Sequence, residues 1–182
     1  MRQAGRYLAS FRKIREKYTF DESCHSAELA LQISLLPMKQ YDLDASIVFS
    51  DILFPLRAIG AKLEFTNEGP KIESPKTEAD LAKLRTTFNP REDTGTILET
   101  LKNLRKELPN EKAVLGFAGA PFTMAAYLFE GNLSRDLGVF KKWMAEKPAV
   151  VHRWLSHLAD MTGEYLSAQA ESVRELTLPH YY

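Results

Sequence analysis

Nine residues, Ala45-Ser46-Ile47-Val48-Phe49-Ser50-Asp51-Ile52-Leu53, constrain this chain more than any others. The first five form an apolar, β-branched-rich run of the kind that a strand buried on both faces requires. A polar pair, Ser50-Asp51, interrupts it before apolar residues resume. A carboxylate in such surroundings must be solvated, hydrogen-bonded or paired, because burying it bare is costly. The C-terminal end of a strand in a parallel sheet offers that compromise, and active sites of α/β proteins open there. The same spacing also suits an Asp that only ends a strand or caps a helix, and by frequency alone that is the commoner outcome.

The remaining chain supplies the partners such a strand needs. Ala113-Val114-Leu115-Gly116-Phe117 is a second short apolar strand. Between the two, Ala61–Thr66 and Lys71–Glu73, separated by Asn67-Glu68-Gly69-Pro70, read as a β-hairpin excursion. Thr77 begins a short helix. Asn89-Pro90-Arg91-Glu92 opens a longer one that carries Ile97, Leu98, Leu101, Leu104 and Leu108 on one face. Upstream, Leu8 to Tyr18 has near-helical spacing. Ser26 N-caps a helix running to about Tyr41, in which Pro37 is expected to kink or end the helix early.

Downstream, Ala118-Gly119-Ala120 permits a tight strand-to-helix turn, and Pro121 suits the first turn of a helix that holds Tyr127 and ends near Gly131. Ser134 is expected to cap the next helix. Pro148 then opens a long one with an apolar stripe of Val151, Trp154, Leu155, Leu158, Tyr165 and Leu166. Strand, excursion and helix, strand, helices is α/β order, which implies parallel pairing through crossovers. No repeat or Pro/Gly-rich linker divides the chain, so it reads as one domain or part of one.

Composition removes several function classes. Lys+Arg and Asp+Glu balance at 24 each, so no overall field favours nucleic acid or a membrane surface. The single cysteine, Cys24, excludes an internal disulfide framework or a multi-thiolate metal site within this chain. No stretch reaches the ~18 apolar residues of a membrane span, and the N-terminus lacks a signal-peptide layout. The expected location is the cytoplasm. His25, His152, His157 and His180 form no metalloprotease-type arrangement, and no Ser-His-Asp set is recognisable.

What remains for chemistry is Arg2, Arg6, Asp51 and Tyr127. Two arginines four apart, with Gly5 between them, suit a loop that closes on an anionic ligand, because the guanidiniums repel unless an anion sits between them. The alternative is a solvated N-terminus. Three segments carry a resemblance to a known family. Met1-Arg2-Gln3-Ala4-Gly5-Arg6-Tyr7 and Phe49-Ser50-Asp51-Ile52-Leu53 resemble the first two signatures of the uroporphyrinogen decarboxylases. Gly116-Phe117-Ala118-Gly119-Ala120-Pro121-Phe122-Thr123, continuing to Tyr127, Glu130 and Gly131, resembles the third.

This resemblance implies a (β/α)8 TIM-type barrel, here a partial one: the first two barrel strands, their helices and the hairpin excursion. It covers about residues 1–171, roughly the N-terminal half of a family chain, and residues 172–182 form a divergent tail. It implies cofactor-free, metal-free removal of carbon dioxide from the acetate side chains of uroporphyrinogen, by a cytoplasmic homodimer. Arg2, Gln3, Ala4, Gly5, Arg6, Asp51 and Tyr127 become the expected substrate-binding residues, with Asp51 and Tyr127 catalytic. Protonating the pyrrole makes the ring the electron sink. A preorganised carboxylate then stabilises the cation, and Tyr127 orients that carboxylate. The arginines hold substrate carboxylates, since a pKa above ~12 makes arginine a poor acid.

The family chain begins before its arginine motif, and its later serine or threonine and its C-terminal histidine have no counterpart here. The chain alone is therefore expected to be inactive. A related barrel methyltransferase of the zinc and corrinoid type, or a module that only binds a porphyrinogen or a partner, remains as an alternative. The paired arginines favour the decarboxylase.

Overall fold

The computed structural model describes residues 6–66, 69–132, 134 and 136–174. Its elements, in chain order, are α1 (Ala9–Arg15), α2 (Phe20–His25), α3 (Ala27–Gln40), β1 (Ala45–Ile47), α4 (Phe54–Ala58), β2 (Leu63–Thr66) and β3 (Gly69–Ile72). They continue with α5 (Glu78–Leu81), α6 (Pro90–Asp93), α7 (Gly95–Glu107), β4 (Ala113–Leu115), α8 (Pro121–Glu130), α9 (Gly138–Glu146) and α10 (Pro148–Arg174). The two strands expected of a barrel, β1 and β4, pair in parallel with Ile47 opposite Leu115. The excursion is the antiparallel hairpin β2–β3. The fold is α/β, a partial TIM-type barrel.

Contacts divide the chain into two compact units, each discontinuous in sequence. The first comprises residues 1–51, 94–117 and 166–182, and the second residues 52–93 and 118–165. In the first, α3 and α7 pack on the β1–β4 pair, with Ile33, Leu101 and Leu104 fully buried. In the second, Leu53, Leu56, Ile59, Met124, Leu128, Phe129, Phe140 and Leu158 form one apolar core.

Several expectations need correction. The strands expected over Ala45–Ser50 and Ala113–Phe117 are three residues each, Ala45–Ile47 and Ala113–Leu115. Pro37 neither ends α3 early nor prevents the last turn, because Tyr41 N–H still reaches the Pro37 carbonyl at 2.9 Å. The helix expected from Pro90 onward breaks at Thr94 into α6 and α7. Its Asp93 carboxylate turns back to accept the Asn89 N–H at 2.8 Å and the Arg85 guanidinium at 2.5 Å. Helix α2 is not expected from periodicity. Its signal is the Thr19-x-x-Glu22 pair, a reciprocal capping box that satisfies two backbone donors.

Candidate active site

The first unit holds Arg6 and Asp51. The β1–β4 ladder ends with Val48 N–H donating to Leu115 O at 3.0 Å. On the opposite edge of the strand, away from β4, the next amide, Phe49 N–H, donates to Ser34 Oγ at 2.8 Å. That hydroxyl in turn donates to Ala30 O at 2.6 Å, while Ser46 Oγ donates to Ser34 O at 2.9 Å. A buried serine on α3 thus ties the end of β1 to that helix, and Ser50-Asp51 follows at once. Asp51 is half-buried, four residues past β1, as the sequence pattern implies.

Aromatic rings line this exit. Phe49 packs against Phe11 and edge-on against Phe20, with ring centroids 5.8 and 5.5 Å apart. The Arg6 guanidinium lies 4.8 Å from the Phe20 ring centre and 5.5 Å from that of Phe49, in cation–π range of both. Cys24 is buried beside the same charges. Burial first, and the Asp51 carboxylate second, push its thiol pKa up, while the Arg6 guanidinium pulls it down. The net rise keeps Cys24 protonated and makes it a poor nucleophile. Two buried polar atoms, Arg6 Nε and Ser50 Oγ, have no hydrogen-bond partner among the described residues. Such orphans are rare in folded proteins. Arg2, Gln3, Ala4 and Gly5 lie outside the described residues.

Tyr127 belongs to the second unit, half-buried on α8 at the margin of the apolar core. The helix begins at Pro121 and stops at Gly131, whose left-handed backbone (φ 86°) lets its N–H return to Tyr127 O at 2.9 Å. A side chain at Gly131 would meet Ile72 O at 2.8 Å, in line with the Ile72 N–H to Gly131 O bond of 2.7 Å. Glu130, the last residue of α8, accepts the Phe140 N–H at 3.0 Å and the Ser134 hydroxyl at 2.8 Å. This corrects the expectation for Ser134. Helix α9 starts at Gly138, and the carboxylate of Glu130 caps it from a distance. Burial alone raises the Glu130 pKa, but the amides of Phe140, Val139 and Gly138 and the Ser134 hydroxyl outweigh it and hold the carboxyl below its ordinary value.

Other features of the described residues lie apart from these. A groove of about 690 Å³, bordered by Thr77, Glu78, Trp143 and Lys147, contains none of the candidate residues. No group of three or more His, Cys, Asp or Glu side chains among the described residues is placed to hold a metal ion. No helix there is long and apolar enough to cross a membrane. Sequence reasoning missed Ser34, Phe20 and Gln169; of these, only Phe20 carries a local signal, the capping box that starts its helix.

Parallel strands joined through helices, with a carboxylate just past the C-terminal end of the first, define the class as an α/β barrel-type chain. The chain belongs to the uroporphyrinogen decarboxylase (URO-D) family, whose profile matches residues 1–175. It is 44% identical over 171 residues to the uroporphyrinogen decarboxylase of Carboxydothermus hydrogenoformans, covering 93% of this chain and 49% of that protein. Against the uroporphyrinogen decarboxylase of Geobacter metallireducens it is 45% identical over 170 residues, with the same two coverages. The chain thus spans about half the length of the curated relatives it matches. A solved methyltransferase from Methanosarcina mazei shares the fold, with TM-score 0.73 and 17% identity over 91% of this chain and 48% of that one.

Proposed function

We propose that this chain contributes the Arg2–Arg6 segment, Asp51 and Tyr127 to an active site that decarboxylates uroporphyrinogen to coproporphyrinogen. The observation that carries this reading is the Arg6 guanidinium over the Phe20 and Phe49 rings, with Asp51 in electrostatic reach of the same Cys24 thiol and with Arg6 Nε and Ser50 Oγ lacking hydrogen-bond partners among the described residues. A carboxylate-rich tetrapyrrole matches such a floor: rings for its pyrroles, a guanidinium for an acetate or propionate. Residues 1–171 form the family-like part in this reading. Residues 172–182 are the tail, of which 172–174 continue α10.

The chemistry asks for charge stabilisation rather than a cofactor. Protonation turns one pyrrole into a cation. The bond from the acetate methylene to its carboxylate then breaks, its electron pair flows into the ring, and carbon dioxide leaves. A proton takes the vacated position and the ring releases the one it had accepted, so the pyrrole is restored and each acetate becomes a methyl group. Asp51 faces the developing cation as a fixed anion. Tyr127 is the second catalytic side chain in this reading, and Arg2 and Arg6 hold the carboxylates that do not react. A cytoplasmic homodimer goes with this reading.

Barrel closure takes eight strands, and the described residues hold two in parallel. We therefore expect no turnover by the 182 residues alone. Turnover should appear when the chain is co-expressed with the C-terminal half of the Carboxydothermus hydrogenoformans relative. In that complemented protein Asp51→Asn should lower kcat by about 10²-fold or more, with a smaller effect on KM. A kcat within error of the parent's would remove Asp51 from the mechanism.

A further inference from the structure

A regular parallel ladder, extended from the observed register, has a defined next rung. Ile47 stands opposite Leu115, so Phe49 would stand opposite Phe117. Ala113 N–H donates to Asp44 O, and Val48 N–H to Leu115 O. Repeating that pattern two residues on, Phe117 N–H would donate to Val48 O, and Phe117 O would accept from Ser50 N–H. Neither bond forms. The Gln169 carboxamide takes both positions: its Oε1 accepts from Phe117 N–H at 2.9 Å, and its Nε2 donates to Phe117 O at 3.0 Å. Gln169 projects from α10 and is only 3% exposed, so this pairing is made away from water.

The neighbouring residue is fitted to the amide. A Cβ at Gly116 would lie 2.2 Å from Gln169 Oε1, so only glycine leaves room for the carboxamide in this position. On the other strand, Ser34 takes the Phe49 N–H as the backbone turns away. One side chain therefore fills the rung on β4, and another anchors the far edge of β1 to α3.

We propose that Gln169 is a positioning residue for the decarboxylation: a wedge in the β1–β4 ladder that keeps Ser50 and Asp51 off the sheet. Without it, the two strands gain a rung, Ser50 N–H is drawn to Phe117 O, and Asp51 moves with it, away from where the pyrrole cation forms. The proposal rests on the functional reading above for its catalytic consequence, and on the ladder geometry alone for its structural one.

Two measurements separate these. In the complemented protein, Gln169→Leu, close in size but unable to hydrogen-bond, should lower kcat about tenfold or more while KM changes about twofold at most. The same substitution made on Asp51→Asn should cost nothing further, because a wedge acts only through Asp51. Amide hydrogen exchange, resolved by residue, should show Ser50 N–H at least about tenfold better protected in Gln169→Leu.

Where Gln169→Leu does not fold, Gly116→Ala expels the same carboxamide while leaving it in the sequence, and should reproduce both effects. Ser50 exchange that is unchanged or faster in the folded variant would overturn the wedge. A kcat loss that persists undiminished on Asp51→Asn would reduce Gln169 to a structural residue. If the parent protein proves inactive on porphyrinogens, the functional reading fails, and the exchange measurement still decides the wedge.

Discussion

Asp51 and Tyr127 are carried by regions built in different ways. The segment bearing Asp51 leaves its sheet early and is held by polar side chains on backbone groups: Ser34 on Phe49, Ser46 on Ser34, and Gln169 on Phe117. Tyr127 rides a regular helix whose neighbours Met124, Ala125, Leu128 and Phe129 are buried in an apolar core. Apolar packing is strong and non-directional, whereas a buried hydrogen bond is modest in net stability and costly to leave unmade. The first region therefore concentrates geometry in a few atoms. The second spreads stability over many.

This contrast is most easily broken at Phe129. Its ring stacks on Phe140 at 5.3 Å and meets Trp143 edge-on at 5.3 Å, with no exposure to solvent. Truncating a fully buried phenylalanine removes the transfer energy of the ring and leaves a cavity. Phe129→Ala should cost about 3–5 kcal/mol in urea or thermal unfolding. A loss under about 1 kcal/mol would mean that the region is not held by its core.

The same contrast explains what could be read from the sequence. Helix α8 was legible end to end because its determinants are local: Pro121 opens it and Gly131 closes it. The pairing of β1 with β4 followed from element order and two apolar runs. The place where β1 stops was not legible, because Ser34 lies fifteen residues from the amide it captures and Gln169 lies fifty-two from its own. Nothing in the run Ala45–Phe49 distinguishes a three-residue strand from a longer one. The break at Thr94 was hidden for a similar reason: Asp93 is a good first-turn residue until Arg85 draws its carboxylate back. Arg6 was visible as one of a pair, but one of its two aromatic neighbours, Phe20, depends on α2, whose only signal is a capping box.

Glu130 sharpens the comparison, since it is a polar tie in the region otherwise held by packing. Its carboxylate pKa is lowered in the folded protein by the start of α9, so protons bind the unfolded chain more readily. The sign follows from that difference. The stabilisation is fully present above the ordinary glutamate value of about 4.3, and fades as pH falls through the lowered folded value. Glu130→Gln should remove about 1–3 kcal/mol at neutral pH, by replacing a charged acceptor of backbone amides with a neutral one. It should also flatten the acid limb of the stability curve, read as Tm between about pH 6 and 3. An acid limb as steep as the parent's would assign the pH dependence to other carboxylates.

The smallest expected effect on the fold lies back at the first region, and it probes geometry with little change in stability. Arg6 spans two rings through its flat guanidinium, and that plane also offers parallel donors to a carboxylate. Lysine keeps the charge but loses the plane, so Arg6→Lys should cost only about 0.5–1 kcal/mol of stability through the weakened cation–π contacts. Under the proposed function its cost in substrate binding should be larger, because one ammonium cannot reproduce a two-point contact with an acetate or propionate. In the complemented protein this appears as a raised KM with kcat largely retained, the pattern of a binding contact made equally in ground and transition states. A fall in kcat at unchanged KM would instead place Arg6 among the groups that act on the developing cation. It would then share the task assigned to Asp51 rather than hold a carboxylate at the edge of the ring.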